Sequence, residues 1–285
     1  MGRFFGRKPD RDIRIGSGPT VITGAASGIG RALAERLADT GRTLVLADRD
    51  AAGLEQVASY LGPNVHTTAV DITDHDAVEA WAQVTVSEHG APSELFHIAG
   101  ISIWGDPVAL PIEKWRSVID VNLMGTVNVV TAFLPSMTEA NQPARIMCTS
   151  SAAGIIGLPW HAAYSASKAG VIGLCEVLRF DLRRYKIDVH VLAPGAVDTP
   201  LVRGVDIHGV DRSTPRAQKA TAMFQKHGRS PEDVADKIVK QIRRGRFLLT
   251  TSAEVNVART AQLLAPWLYV RVMRGANRLG QWVAS

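Results

Sequence analysis

The chain holds only two cysteines in 285 residues, Cys148 and Cys175, and each sits inside an apolar segment. That scarcity excludes a disulfide-stapled scaffold and points to two buried, reduced thiols in a cytoplasmic setting. No run of about 18 consecutive apolar residues occurs, so no stretch reads as a spanning helix. The N-terminal stretch is basic but has neither an apolar signal core nor a small-residue cleavage site, and Gly6 stands where a myristoylation signal carries Ser or Thr. His66, His75, His89 and His208 are scattered without metal-ligand spacing, so no metal site is expected. No zinc finger or other nucleic-acid motif is present. The net charge of +5 is uneven: residues 1–18 carry Arg3, Arg7, Lys8, Arg11 and Arg14 against Asp10 and Asp12, and residues 255–285 carry Arg259, Arg271, Arg274 and Arg278 with no acid. The body between them is close to neutral, so the high pI does not imply a nucleic-acid partner.

What the sequence does contain is a regular alternation of short apolar runs and helical patterns. Strands are expected at 20–23, 43–47, 65–70, 94–98, 145–149, 187–192 and 247–250, and helices at 29–39, 51–61, 75–88, 112–137, 162–184 and 231–243, with no clear periodicity over 196–229. Near-continuous apolar strands alternating with helices predict an α/β fold: a doubly wound parallel sheet in three layers, Rossmann-like, as a single domain over 19–255. Residues 1–18 form a basic arm and 256–285 a basic C-terminal extension.

The first unit carries the sharpest signal. Thr23-Gly24-Ala25-Ala26-Ser27-Gly28-Ile29-Gly30 follows a strand and opens a helix, and Asp48 ends the next strand, 18 residues past Gly30. Glycines there let backbone approach a pyrophosphate, the helix N-terminus offers N–H groups to its charge, and the acid is placed to accept from ribose hydroxyls. Gly24, Asp48, Asp71, Gly100, Ser151 and Gly195 all fall at carboxyl ends of strands, the ligand-binding edge of such a sheet. At that edge Tyr164 and Lys168 lie four apart on a helix, one turn from each other. An ammonium beside a phenol favours the phenolate, so the Tyr164 pKa is expected below its reference, which suits a general acid/base.

With these residues assembled, the chain resembles the short-chain dehydrogenase/reductase family, in its single-domain branch, over about residues 18–252. The motifs are TGAASGIG at 23–30, Asp71 in VDITD, Asn122 in VNLMG, Ser151 thirteen residues before Tyr164, YSASK at 164–168 and PGAVDT at 194–199. The resemblance implies a nicotinamide cofactor and an Asn122, Ser151, Tyr164, Lys168 tetrad. In it Tyr164 moves the proton of the alcohol or carbonyl oxygen, and Ser151 polarises that oxygen. Lys168 lowers the Tyr164 pKa and binds ribose hydroxyls, and Asn122 holds a relay water. It also implies cofactor contacts at Gly24, Ser27, Gly28, Ile29, Gly30, Asp48, Arg49, Asp71, Ile72, Ala99, Gly100, Pro194, Gly195, Val197 and Thr199, besides Tyr164 and Lys168. The expected function is hydride transfer between the cofactor and a small-molecule secondary alcohol or ketone, probe-able against the alternative of a non-catalytic dinucleotide sensor or scaffold. NAD is expected over NADP, because Asp48 repels a 2′-phosphate and Ser27 is not basic, whereas Arg49 pulls the other way. One departure stands out: the family has Asn-Asn-Ala-Gly where this chain has His97-Ile98-Ala99-Gly100, and His97 reads as structural. Trp104, Trp160 and His161 flank the expected substrate cleft.

The family pairs its long helix and its tyrosine helix across a two-fold axis. Val118, Val129, Leu174 and Leu178 are expected on those outward faces, in a homodimer or homotetramer. In the extension Pro266 opens a helical pattern, with Leu268, Val272, Ala276, Leu279 and Val283 on one face, Arg271, Arg274 and Arg278 on another, and Trp267, Tyr269 and Trp282 as amphipathic rings. Two readings stand. The apolar face packs on the body or a neighbouring subunit, or the helix lies on an anionic membrane surface and brings the site near lipophilic substrates.

Overall fold

The computed structural model describes residues 16–284 apart from 212, 217, 219–227 and 243; of 279, 280 and 282–284 it describes the backbone alone. Most of the basic arm, and the side chains of Leu279, Trp282 and Val283, lie outside the described residues.

Chain order begins with β1 (Thr20–Thr23), α1 (Gly28–Ala38), β2 (Leu44–Asp48), α2 (Ala51–Leu61), β3 (Val65–Ala69), α3 (His75–His89), β4 (Glu94–His97) and β5 (Ile103–Gly105). It continues with α4 (Ile112–Ile119), α5 (Gly125–Glu139), β6 (Ala144–Thr149), α6 (Ala162–Asp181), β7 (Ile187–Ala193), α7 (Pro200–Arg203) and β8 (Asp206–His208). It ends with α8 (Pro231–Ile242), β9 (Leu248–Thr250), α9 (Ala253–Leu264) and α10 (Pro266–Ala284). Seven strands form one parallel sheet in the order β3-β2-β1-β4-β6-β7-β9. The order reverses beside β1, so β1 and β4 flank the topological switch point where such sheets bind ligands. The central strands are apolar on both faces because both faces are covered. On one side Val78 and Trp81 of α3, Val129 and Phe133 of α5, and Val171 and Cys175 of α6 pack on the sheet. On the other, Leu33 and Leu37 of α1, Leu54 of α2, and Val234 and Ile238 of α8 do so. This is the three-layer doubly wound fold that the alternation implies.

Three expectations change. The helical stretch beginning at 112 is not one regular helix: α4 and α5 are separated by a single π-helical turn, Asp120–Met124. The π turn swings Asn122 into the interior, where it is fully buried. Val118 and Val129 are also fully buried, not outward-facing. The outward apolar residues of this region are instead Met124 and, on α6, Val177 and Phe180, while Leu178 packs against the core. Third, residues 112–139 do meet the length and composition of a spanning helix, but Val118, Val129, Val130, Phe133 and Met137 are buried in the protein core together with Asn122 and Asn128.

The extension begins inside a helix. α9 starts at Ala253 and buries Val255, and α10 follows through Gly275 without a break. In α10 the partly buried positions are Tyr269, Met273 and Asn277, each four apart and so on one face. Leu268, Val272 and Ala276, on the face read as packing or as membrane-facing, are exposed and do not pack on the body.

Candidate active site

The glycine-rich turn follows β1 directly. Gly24 and Gly28 have φ of +69° and +54°, which L side chains rarely adopt, so the turn depends on glycine at both. A Cβ on Gly24 would stand 2.7 Å from the Ala99 nitrogen, which is why the β1 and β4 ends can lie so close. Ser27 is the N-cap of α1 but makes no side-chain cap hydrogen bond, and no acid lies in the first turn of the helix. The first-turn N–H groups up to Gly30 are therefore capped by no side chain of the helix, which suits them to an anion. The Asp48 carboxylate accepts from Ala26 N at 3.1 Å and from Asp50 N at 3.1 Å, which locks the acid to the loop. From the far side Thr199 closes on Gly28, and Val197 is buried behind it. Pro194 O accepts from Ala152 N, and Gly195 N donates to Thr251 Oγ1.

Asp71 accepts at Oδ1 from Thr73 N and Thr73 Oγ1, and these two bonds hold its carboxyl below the usual range, with a smaller contribution from the Arg49 charge. Arg49 is thus close enough to Asp71 to feel it. Ile72 points into the core, and its carbonyl accepts from Asn128 Nδ2, so only its backbone can serve a ligand. The chemistry of this cradle fits a dinucleotide: uncapped N–H groups suit the pyrophosphate and the Asp48 carboxylate suits the adenosine ribose.

The tetrad converges where the motifs imply. Ser151 ends the segment after β6, and its Oγ accepts from Ala153 N at 3.2 Å. Tyr164, half-buried, and Lys168, buried, stand one turn apart on α6, and the lysine Nζ lies 5.9 Å from the tyrosine ring centre and donates to Thr149 O at 3.0 Å. Asn122 Oδ1 accepts from Ile101 N at 2.9 Å, while its Nδ2 donates to Ile101 O and to Ser167 Oγ. A Cβ on Gly100 would meet Asn122 Oδ1 and Lys168 Nζ at 2.8 and 3.1 Å, so β4, the π turn and α6 meet at one point.

One expectation about charge is corrected. The Tyr164 pKa is raised, not lowered: burial penalises the phenolate, and a hydrogen bond with Ser151 offsets only part of that. Lys168 does not offset it, because its ammonium donates to Thr149 O rather than to the phenol. Helical spacing places the two residues on one face but does not report the cost of burying them.

His97 proves structural. Thr23 Oγ1 accepts from Ile98 N and Ala99 N, so its single proton goes to His97 Nδ1, 2.9 Å away. Burial first, and the Lys168 charge second, push the His97 pKa down to about 3, so the ring is neutral. It fills the asparagine's place by bracing β4 against β1.

The sequence reading missed a cover over the substrate side. β5 and β8 form a small parallel sheet that ties residues 103–105 to 206–208. Lys114 Nζ pairs with Asp206 at 2.6 Å, and Gly105 N donates to Trp160 O. The Trp104 ring stacks on His161 at 4.3 Å between centres, and His161 lies 6.3 Å from Tyr164. The Trp104 and His161 rings therefore form one aromatic wall beside Tyr164, and Trp160 joins this segment through its carbonyl. Ser102, which accepts from Trp104 Nε1, had no signal in the sequence. Among the described residues no cluster of three His, Cys, Asp or Glu side chains forms, although His66 and His89 do stack at 4.2 Å.

A family model for the short chain dehydrogenases matches residues 19–208, two thirds of the chain. The chain belongs to that family. Among its relatives, 1-deoxy-11-beta-hydroxypentalenate dehydrogenase of Streptomyces exfoliatus is 33% identical over 255 residues, 88% of each chain. A family member from Burkholderia phymatum, solved in complex with NAD, superposes with a TM-score of 0.80 at 30% identity over 89% of this chain and 95% of that one. Levodione reductase superposes with a TM-score of 0.74 at 28% identity over 83% and 95%. The protein is an oxidoreductase that transfers hydride between a nicotinamide cofactor and an alcohol or ketone.

Proposed function

We propose that the tetrad performs this reaction with a lipophilic secondary alcohol or ketone and with NAD in preference to NADP. The observation that carries the reading is the meeting of Ser151, Tyr164 and Lys168 beneath an aromatic wall, at the strand edge that also holds the dinucleotide cradle. A bound nicotinamide supplies the hydride acceptor or donor. Tyr164 Oη holds the proton that the substrate oxygen gains in reduction and takes it back in oxidation. Ser151 Oγ donates to the same oxygen, and two O–H donors stabilise the charge developing there. Lys168 would hold the ribose hydroxyls of the bound cofactor, and its charge favours the phenolate of Tyr164. Asn122, pinned by Ile101 and Ser167, keeps the π turn open beside Lys168 for a relay water. Gly24, Ser27, Gly28, Ile29, Gly30, Ala99, Gly100, Pro194, Gly195, Val197 and Thr199 would hold the dinucleotide through backbone and small contacts, with Asp71 and Ile72 contributing at the same edge.

The NAD preference rests on Asp48, whose carboxylate is held beside the glycine turn by Ala26 N, where it would repel a 2′-phosphate. Like charges brought together cost several kcal/mol, so kcat/KM for NAD should exceed that for NADP by about tenfold or more. Equal or reversed values would show that Arg49 governs the choice.

We also place the 19–255 domain in a homodimer or homotetramer in the cytoplasm, a setting that two buried free cysteines support. Contact of α10 with anionic membranes is supported by exposed Leu264, Trp267, Leu268 and Val272 beside an acid-free helix. Co-sedimentation with acidic liposomes should be lost on truncation after Ala265; equal behaviour of the two forms ends that reading.

A further inference from the structure

Between the catalytic segment and the C-terminal helix lies a groove of about 640 Å³. Its floor is Gly157, which belongs to the stretch joining Ser151 to Tyr164, and the Tyr269 hydroxyl donates to the Gly157 carbonyl at 3.1 Å. The groove thus meets the catalytic segment at Gly157, and its walls are α10 with Gln262 of α9. From α10 the groove is lined by Tyr269, Met273, Asn277, Arg274 and Arg278. Tyr269 and Met273 give it an apolar base. Arg274 and Arg278, one turn apart, line the same groove. Among the described residues neither arginine has an ion-pair partner, and residues 255–285 contain no acid.

We propose that this groove is a subsite for the far end of the substrate, and that it takes a carboxylate. This rests on the hydride-transfer reading and adds a substrate class to it: an apolar alcohol or ketone whose chain or ring system ends in a carboxylate. The reacting carbon sits under Tyr164, the apolar body runs along the 155–161 segment past Met273 and Tyr269, and the carboxylate meets the two guanidinium groups. Paired arginines suit that role because a guanidinium binds a carboxylate in two parallel hydrogen bonds. Arg271, on the outward side of the same helix, does not line the groove.

The test is calorimetric binding to the full-length protein in the presence of NAD, which a ketone cannot use, so no turnover intrudes. The probes are a medium-chain methyl ketone ending in a carboxylate and the methyl ester of the same compound. The wild type should bind the acid at least about tenfold tighter than the ester. The R274Q/R278Q double variant should bind the acid no better than the ester, and R271Q should keep the preference. No binding of the acid, equal binding of acid and ester, a preference that survives the double substitution, or equal loss in R271Q would each overturn the proposal. Hydride transfer is judged separately, by turnover of a neutral ketone with reduced cofactor, so failure of one reading does not mask the other.

Discussion

At the scale of single residues the site is governed by burial. Lys168 is 3% exposed, and its ammonium has one protein acceptor, Thr149 O. Its pKa falls from 10.5 to about 8, so the folded state binds fewer protons than the unfolded state between those values and stability rises with pH across that window. Below pH 8 both states are protonated and the cost is present in full, on the order of 3 kcal/mol. Replacing Lys168 with Met relieves it while giving up a hydrogen bond of about 1 kcal/mol. The Lys168→Met protein should therefore melt a few degrees higher than wild type at pH 7, with the gap closing as pH rises toward 10.5, and it should be inactive. A lower melting temperature at pH 7 would show that the ammonium is better solvated than its burial implies. Such a lysine is retained for its chemistry at a cost in stability.

Elements explain what could and could not be read from sequence. The βα alternation, the glycine turn and the tyrosine helix were legible because each is local: period, glycine placement and a four-residue spacing report directly on backbone. The π turn was not, because one extra residue in a helix leaves the apolar pattern almost unchanged while rotating Val118 and Asn122 inward. The sign of the Tyr164 shift was hidden for a related reason, since desolvation is a property of the packed whole. The same holds at the other end of the sheet. Glu94 at the start of β4 is buried and accepts from Thr20 Oγ1 at 2.9 Å and from Arg42 at 2.8 Å, with Arg145 at 3.6 Å. Three strands and the loop before β2 meet through that one carboxylate, yet a lone Glu opening a strand gave no sign of it. Glu94→Gln leaves the buried Arg145 with a weaker partner and should cost about 3 kcal/mol of stability, read by denaturant unfolding, with kcat of the folded protein unchanged. A loss under about 0.5 kcal/mol would mean the cluster is solvated.

The whole molecule presents one catalytic edge, with β5, β8 and α10 on its substrate side and an outward face on α6 that nothing among the described residues covers. Val177 and Phe180 on that face are 58% and 66% exposed, more apolar surface than a solvated helix carries. A homo-oligomer should bury them. Val177→Lys with Phe180→Lys should shift the mass seen by light scattering toward the monomer, whereas a wild-type monomer at micromolar concentration would remove the premise. The central claim, that Tyr164 moves the substrate proton in a nicotinamide-dependent oxidoreductase, is tested most directly by one measurement: the appearance of reduced nicotinamide when NAD and a panel of secondary alcohols are mixed with wild type and with Tyr164→Phe. The variant lacks only a hydroxyl, so it should fold and bind NAD nearly as wild type does while kcat falls by at least about a hundredfold. Retention of more than a few per cent of wild-type kcat would contradict the account.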